Sequence, residues 1–330
     1  MNARNSTFEL LRIISMFFII LYHQILYFIY PWTNDIFFKI IQIPLHIGVI
    51  LFVLISGYWG IKTSLKGFTK LLLPILIYYV GFTLIYKFFI NSNSKIEIHD
   101  ILFISQSPYW FIRTYLYLYL LSPFINKVIF TIDYNKSIIL LLILGFLSIY
   151  MGTMSTDMSL YEGKNIINFT FLYVLGYHIN KNKEKIFNVN RYIWILLYIL
   201  LNLFICIIYY LSDNTYFGNI IWICSFNYCS PLLIINALLF FFIISSFNIH
   251  SKTINSFASS TFAMYLIHEQ PIIKDSIIRT LNILAYNNTS TPITLFFFLV
   301  IITIIIMCSI VMIDKILVPI WNLPNIIIKK

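Results

Sequence analysis

The stretch that most constrains this chain is its first apolar run, Phe8 to Ile29, FELLRIISMFFIILYHQILYFI. A helix of this length crosses the hydrocarbon core of a bilayer, which takes about 20 apolar residues. Yet the run carries Glu9, Arg12 and His23. Ionisable groups inside a span are costly and mark a site or an internal partner. Arg12 and His23 stand eleven residues apart. On a helix that is about three turns plus 20°, with a rise of about 16 Å. The two side chains therefore share one face at different depths, and that face is expected to line a polar path through a membrane protein.

The rest of the chain agrees with this class. Of its 330 residues 60% are hydrophobic and 10% are charged, too little polar surface to coat a soluble core of that size. The net charge of +10 sits mostly in short loops. The positive-inside rule accounts for it better than nucleic acid does. Cys206 and Cys308 lie in apolar runs as small core residues, and a Cys224–Cys229 disulfide stays open. The first segment has no small-residue cleavage site, so it reads as a span and not as a signal peptide.

Apolar runs predict about ten transmembrane helices and an all-α polytopic fold. The spans start near Phe8, Pro44, Leu71, Trp110, Ser137, Ile166, Tyr192, Ser230, Phe257 and Pro292. Pro123 is expected to kink or end the fourth, and Asn91 to Pro108 to form an extramembrane loop. Ten spans put both termini on one side. The loops with Lys62 and Lys66, with Lys136, with Lys181, Lys183 and Lys185, and with Lys252 then share that side with Arg4 and Lys329. Residues 1–330 are expected to be one integral-membrane domain with both termini cytoplasmic and no appended soluble domain.

This topology puts Glu9 and Arg12 at the inner end of the first span and His23 in its outer half. His46 and Arg113 fall near the outer starts of the second and fourth spans, as candidate substrate-binding residues. His268 and Glu269 fall inside the ninth. A histidine is a general base near neutral pH, able to take a proton from a hydroxyl. A packed carboxylate can orient it and favour the imidazolium. Arginine offers a rigid fork of donors to a phosphate or carboxylate. Arg12 can thus meet an anionic cofactor at the inner mouth while His23 meets an acceptor further out, a pattern that suits acyl transfer. Ser56-Gly57 reads as a close helix packing site, and His178 and His250 as solvated residues near inner loops. Metal-ligand spacings, phosphate loops and a nucleophile elbow are not found in the sequence.

At these residues the chain resembles the membrane-bound acyltransferase family 3, O-acyltransferases of bacterial surface polysaccharides. FELLRIISMFFIILYH matches the family's arginine, ten residues, histidine arrangement at Arg12 and His23. VILFVLISGYW, PYWFIRTYLYLYLLSPFIN, FTFLYVLGYHI and FAMYLIHEQP resemble later family segments in order. His268 falls on the histidine of the YLIH motif. The resemblance implies a ten-helix acyltransferase domain in the bacterial inner membrane, with acetyl-CoA or another short acyl-CoA as donor and no metal. Arg12 would engage the donor, and His23 would lead catalysis with His268 and Glu269. The acceptor would be a hydroxyl of a capsule, exopolysaccharide or lipid-linked glycan. Partners would be membrane lipids and glycan-assembly proteins, with no nucleic acid. Two other classes fit buried polar groups in many spans: a transporter or flippase for a lipid-linked glycan, and a non-catalytic partner of a glycan-assembly complex.

Overall fold

The computed structural model describes residues 5–28, 36–86, 109–154, 161–212 and 226–327. Every regular element among them is helical. The expected extramembrane loop at Asn91–Pro108 and Cys224 lie outside the described residues. Cys229 is buried just before the helix that starts at Pro231.

The first helix, α1 (Ser6–Phe28), is followed by α2 (Ile36–Leu45) and α3 (Gly48–Trp59). The last two form one span bent at His46-Ile47, just after Pro44. A proline inside a helix removes one backbone bond and crowds the preceding turn. Next comes α4 (Leu65–Ile75), whose Ser64 cap accepts a hydrogen bond from the Gly67 amide at 2.9 Å. Pro74 precedes a change to π-helix over Leu76–Gly81. Two long helices follow, α5 (Trp110–Thr131) and α6 (Tyr134–Met154). Pro123 sits inside α5 and does not end it. After them come α7 (Ile166–Lys181), capped by the Asn165 side chain, α8 (Arg191–Ser212) and α9 (Pro231–Ser245).

The expected ninth span is broken. It consists of α10 (Lys252–Ala258) and α11 (Thr261–His268), then a reversal at Glu269-Gln270. Gln270 is extended because Pro271 follows it, and its side chain caps the next turn through the Ile272 amide at 2.8 Å. That turn runs through a π segment, Lys274–Ile278, into α12 (Arg279–Asn287). The last helix is α13 (Pro292–Ile327).

Six helical stretches among the described residues are long and apolar enough to cross a membrane: 6–26, 36–59, 65–85, 134–153, 191–211 and 292–318. The count of ten is therefore not reached by length and hydropathy. The other four expected spans depart for visible reasons. Arg113, Lys127 and several tyrosines make α5 more polar. Both α7 and α9 are short, at 16 and 15 residues, and the ninth is interrupted.

The bundle is built around α1, which touches α2, α3, α9, α10, α11, α12 and α13. Its start is tied to the turn before α10. Ser6 Oγ donates to the Ser251 carbonyl at 3.3 Å and Thr7 Oγ1 to the Phe247 carbonyl at 3.0 Å. The end of α3 is tied to the ends of α5 and α7. Asn180 Nδ2 donates to the Tyr58 carbonyl at 2.6 Å and Asn126 Nδ2 to the Ile61 carbonyl at 3.0 Å. The loops bearing Lys62 and Lys66, Lys181 and Lys183 are thereby gathered at one end of the bundle. By contrast, α8 and α6 turn Leu196, Leu200, Phe204, Leu142 and Phe146 outward, as faces toward lipid require.

The closest helix pair is α3 with α7. A Cβ at Gly57 would fall on the backbone of Tyr173, and one at Gly176 on the Leu54 carbonyl. Small residues let two backbones approach in this way. His178, on the same helix, is not solvated as expected: it is buried, and its Nε2 meets Ser137 Oγ at 2.8 Å. The open position for comparison is Gly81, where a Cβ would meet nothing closer than 4.0 Å. Gly57→Ala is expected to lower the thermal midpoint in detergent, at an overpacking cost of about 1–3 kcal/mol, while Gly81→Ala leaves it unchanged or raises it. Equal midpoints for the two variants would refute this account of the α3–α7 contact.

Candidate functional site

Three side chains that the sequence singled out meet at the end of α11. Glu269 keeps the helical course as the cap of α11, its amide donating to the Tyr265 carbonyl at 3.4 Å, and its side chain meets His23 of α1. Glu269 Oε1 lies 2.5 Å from His23 Nδ1 and 3.5 Å from His268 Nε2. The two imidazoles stack with centroids 5.3 Å apart and planes at 22°. Glu269 and His268 are each 2% exposed in their side chains, and His23 is 18% exposed.

The hydrogen bonds set the tautomers. His268 Nδ1 is 2.7 Å from the Met264 carbonyl oxygen, which can only accept, so this nitrogen carries the proton. In the neutral ring Nε2 then holds a lone pair and accepts from His23 Nδ1–H at 3.0 Å. It follows that a neutral His23 bears its own lone pair on Nε2. Glu269 Oε1, 2.5 Å from His23 Nδ1, is a second acceptor for that nitrogen's proton, and donation to either one leaves the lone pair of neutral His23 on Nε2. A proton arriving at His23 Nε2 would place an imidazolium directly against this carboxylate.

A fourth group completes the cluster and was not singled out by the sequence reading. Lys274 Nζ lies 3.6 Å from Glu269 Oε2, with its side chain 17% exposed. The reversal at Gln270-Pro271 and the π segment bring it there. The signal was local, a lysine five residues after a carboxylate, but only a break in the helix makes that spacing a contact. The donor atoms of His23, His268 and Glu269 fall within 4.8 Å of one another, as a metal ion would need. Lys274 already supplies a cation at this carboxylate, so the arrangement suits proton transfer better than metal ligation.

Arg12 lies at the other end of the same face. Its Nη1 donates to Glu9 Oε1 at 2.8 Å, and its side chain remains 34% exposed. Both residues line a cavity of about 530 Å³ among α1, α3, α4, α5, α10 and α11. Lys70, Tyr115 and Ser56, the last read from the sequence as part of a packing site, line it too. Ser56 Oγ donates to the Phe52 carbonyl at 2.9 Å and lies 3.1 Å from the Tyr115 hydroxyl. His23 does not line this cavity. It borders a much smaller one with Gln24, His268, Glu269 and Lys274. The polar path expected along α1 is thus two separate spaces.

Of the other two expected residues, His46 is near the cluster and Arg113 is not part of it. His46 is 7% exposed at the bend between α2 and α3. Its ring stacks on Tyr228 at 4.5 Å and meets the edge of Tyr22, the neighbour of His23, at 4.6 Å. Its Nδ1 has no partner among the described residues. Arg113 is half-buried one turn into α5.

A family model described as an acyltransferase domain, that of acyltransferase family 3, matches residues 5–312. The chain belongs to this acyltransferase family. No curated protein and no solved structure matches it. The match runs from α1 to residue 312 within α13, so both the histidine cluster and the Arg12 cavity belong to the acyltransferase domain. Within that domain Glu269→Gln removes the charge beside His23 and keeps the volume. Acyl transfer by this variant is expected to fall by roughly tenfold or more in kcat, about 1.4 kcal/mol, and its thermal midpoint to fall as well, since Lys274 loses its counter-charge. Unaltered kcat would show that the carboxylate does not act on His23.

Proposed function

We propose that this acyltransferase moves a short acyl group, acetyl above all, from acyl-CoA to a hydroxyl of a surface or lipid-linked polysaccharide. The donor enters the Arg12 cavity from the basic end of the bundle, and the acceptor meets His23 from the other side. The observation that carries the reading is the His23–His268–Glu269 cluster, a base with a settled tautomer and a carboxylate at 2.5 Å.

His23 Nε2 takes the proton of the acceptor hydroxyl as its oxygen attacks the thioester carbonyl. Glu269 compensates the imidazolium that forms, and His268 holds Nδ1–H in place. The tetrahedral intermediate collapses with cleavage of the carbon–sulfur bond. The proton on Nε2 then goes to the departing thiolate, leaving an ester and free CoA. Arg12 offers its remaining guanidinium donors to the donor's phosphate or carbonyl oxygens, while Glu9 fixes the first of them. His46, behind Tyr22, and Arg113 are assigned to the acceptor side.

The gathering of Lys62, Lys66, Lys181 and Lys183 at one end supports a cytoplasmic assignment for that end, in the inner membrane of a bacterial cell. Acyl-CoA is a cytoplasmic metabolite by its charge, since phosphates do not cross a bilayer unaided. A donor cavity opening at the basic end agrees with that.

With purified protein in nanodiscs, labelled acetyl-CoA and envelope glycan as acceptor, His23→Ala is expected to lower transfer by about 10²–10⁴-fold, the range for loss of a general base. Arg12→Ala is expected to raise KM for acetyl-CoA by about tenfold or more while kcat changes less. Transfer unchanged in both folded variants would reject the mechanism. For orientation, Lys183→Cys should resist an impermeant maleimide in intact cells and react after permeabilisation; labelling in intact cells would invert the topology.

A further inference from the structure

The Arg12 cavity has a closed end as well as a mouth. On α1 its lining runs from Arg12 outward to Ile19, and on α3 from Trp59 to Phe52. On α5 it runs from Tyr119 to Phe111, and on α11 from Thr261 to Tyr265. Each helix therefore contributes one large residue to the far end. Phe111 bridges two of the others, with its ring centroid 6.3 Å from Phe52 and 5.2 Å from Tyr265. Ile19, Phe111 and Tyr265 are 5%, 8% and 4% exposed. The next residues outward on the same faces are His23, four positions after Ile19, and His268, three after Tyr265. One helical turn, about 5.4 Å, is all that separates this layer from the histidines. Tyr265 touches both sides, since its ring also meets His268 at 5.7 Å.

On the reading of this cavity as the acyl-CoA pocket, a thioester bound at Arg12 must bring its carbonyl past the layer to meet a hydroxyl at His23. Only the acyl end makes that crossing. The layer is apolar apart from one phenol, so it also keeps water from the thioester until the acyl group displaces it. Rotation of a ring opens a gap the size of a methyl and carbonyl group. Each further methylene must find room among four side chains already packed against each other, and in a packed interior added volume is resisted. We propose that Ile19, Phe52, Phe111 and Tyr265 form the acyl-length filter of this enzyme, passing acetyl-sized groups to His23 and holding back longer chains.

The filter is tested by transfer from acetyl-, butyryl- and hexanoyl-CoA, in nanodiscs with envelope glycan as acceptor, by wild type, Phe111→Ala, Phe52→Ala and the milder Phe111→Leu. The wild type is expected to prefer acetyl over butyryl, since methylenes in an apolar site discriminate by roughly tenfold or more. Phe111→Ala and Phe52→Ala should raise the butyryl-to-acetyl ratio by at least about tenfold, and Phe111→Leu by less. If an alanine variant does not fold, as judged by its thermal midpoint, the leucine variant carries the test. An unchanged ratio in folded variants, with wild-type transfer intact and lost in His23→Ala, would overturn the filter alone. Failure of the wild type to transfer from any acyl-CoA would instead remove the reading on which the filter rests.

Discussion

A carboxylate buried to 2% exposure inside an apolar bundle is the constraint around which this molecule is arranged. Such a charge persists only with partners, because removing one partner of a buried pair costs about 3–5 kcal/mol. Glu269 has three within 3.6 Å: His23 from α1, its own neighbour His268, and Lys274 from the π segment. Adding Lys274 to the two histidines requires the helix to break after Glu269. The Gln270-Pro271 pair does this, with an extended residue before the proline and a side-chain cap for the turn after it. Glu269 itself still follows the helical course, its amide bonded to the Tyr265 carbonyl. The interruption that shortens the ninth span is what returns Lys274 to the carboxylate and completes the cluster.

The same helices divide the interior in two. Inward lies a roomy cavity with Arg12, Glu9 and Lys70. Outward lies a tight space around the imidazoles. Between them stand one aliphatic and three aromatic side chains, one per helix. Under the proposed function, with donor and acceptor arriving from opposite sides, such a partition is needed. An open channel would leak solutes, and a thick wall would keep the reactants apart. One helical turn of side chains is the thinnest barrier that four packed helices can make. The close α3–α7 contact through Gly57 and Gly176 holds Phe52 and Ser56 in register with this layer, which links a packing feature to the chemistry beside it.

Some of this was legible beforehand. Arg12 and His23 lie along one stripe of α1 because the 3.6-residue period repeats over eleven residues. The basic loops fall at one end because each charge had to stay out of the apolar runs. The span count was less legible. Hydropathy treats every crossing helix as a uniform apolar rod, whereas α7 and α9 are short and α5 is rich in tyrosine. Those helices hide their polar groups against neighbours, as with Asn168 on Ser148 and the reciprocal amide bonds between Asn202 and Asn236. His178 was misread for the same reason: proximity to a basic loop says nothing about Ser137 waiting on the adjacent helix.

By itself, the order of residues determined that this chain lies in a membrane, which of its ends is basic, and that a guanidinium and an imidazole share a face of the first helix. All three follow from local periodicity and from the cost of charge in hydrocarbon. The meeting of His23 with His268, across 245 positions of chain, was decided only when the bundle closed. So were the addition of Lys274 and the sealing of the inner cavity beneath the imidazoles. These depend on where a helix breaks and which neighbour fills the gap, and packing between distant segments, not spacing along one of them, settles that.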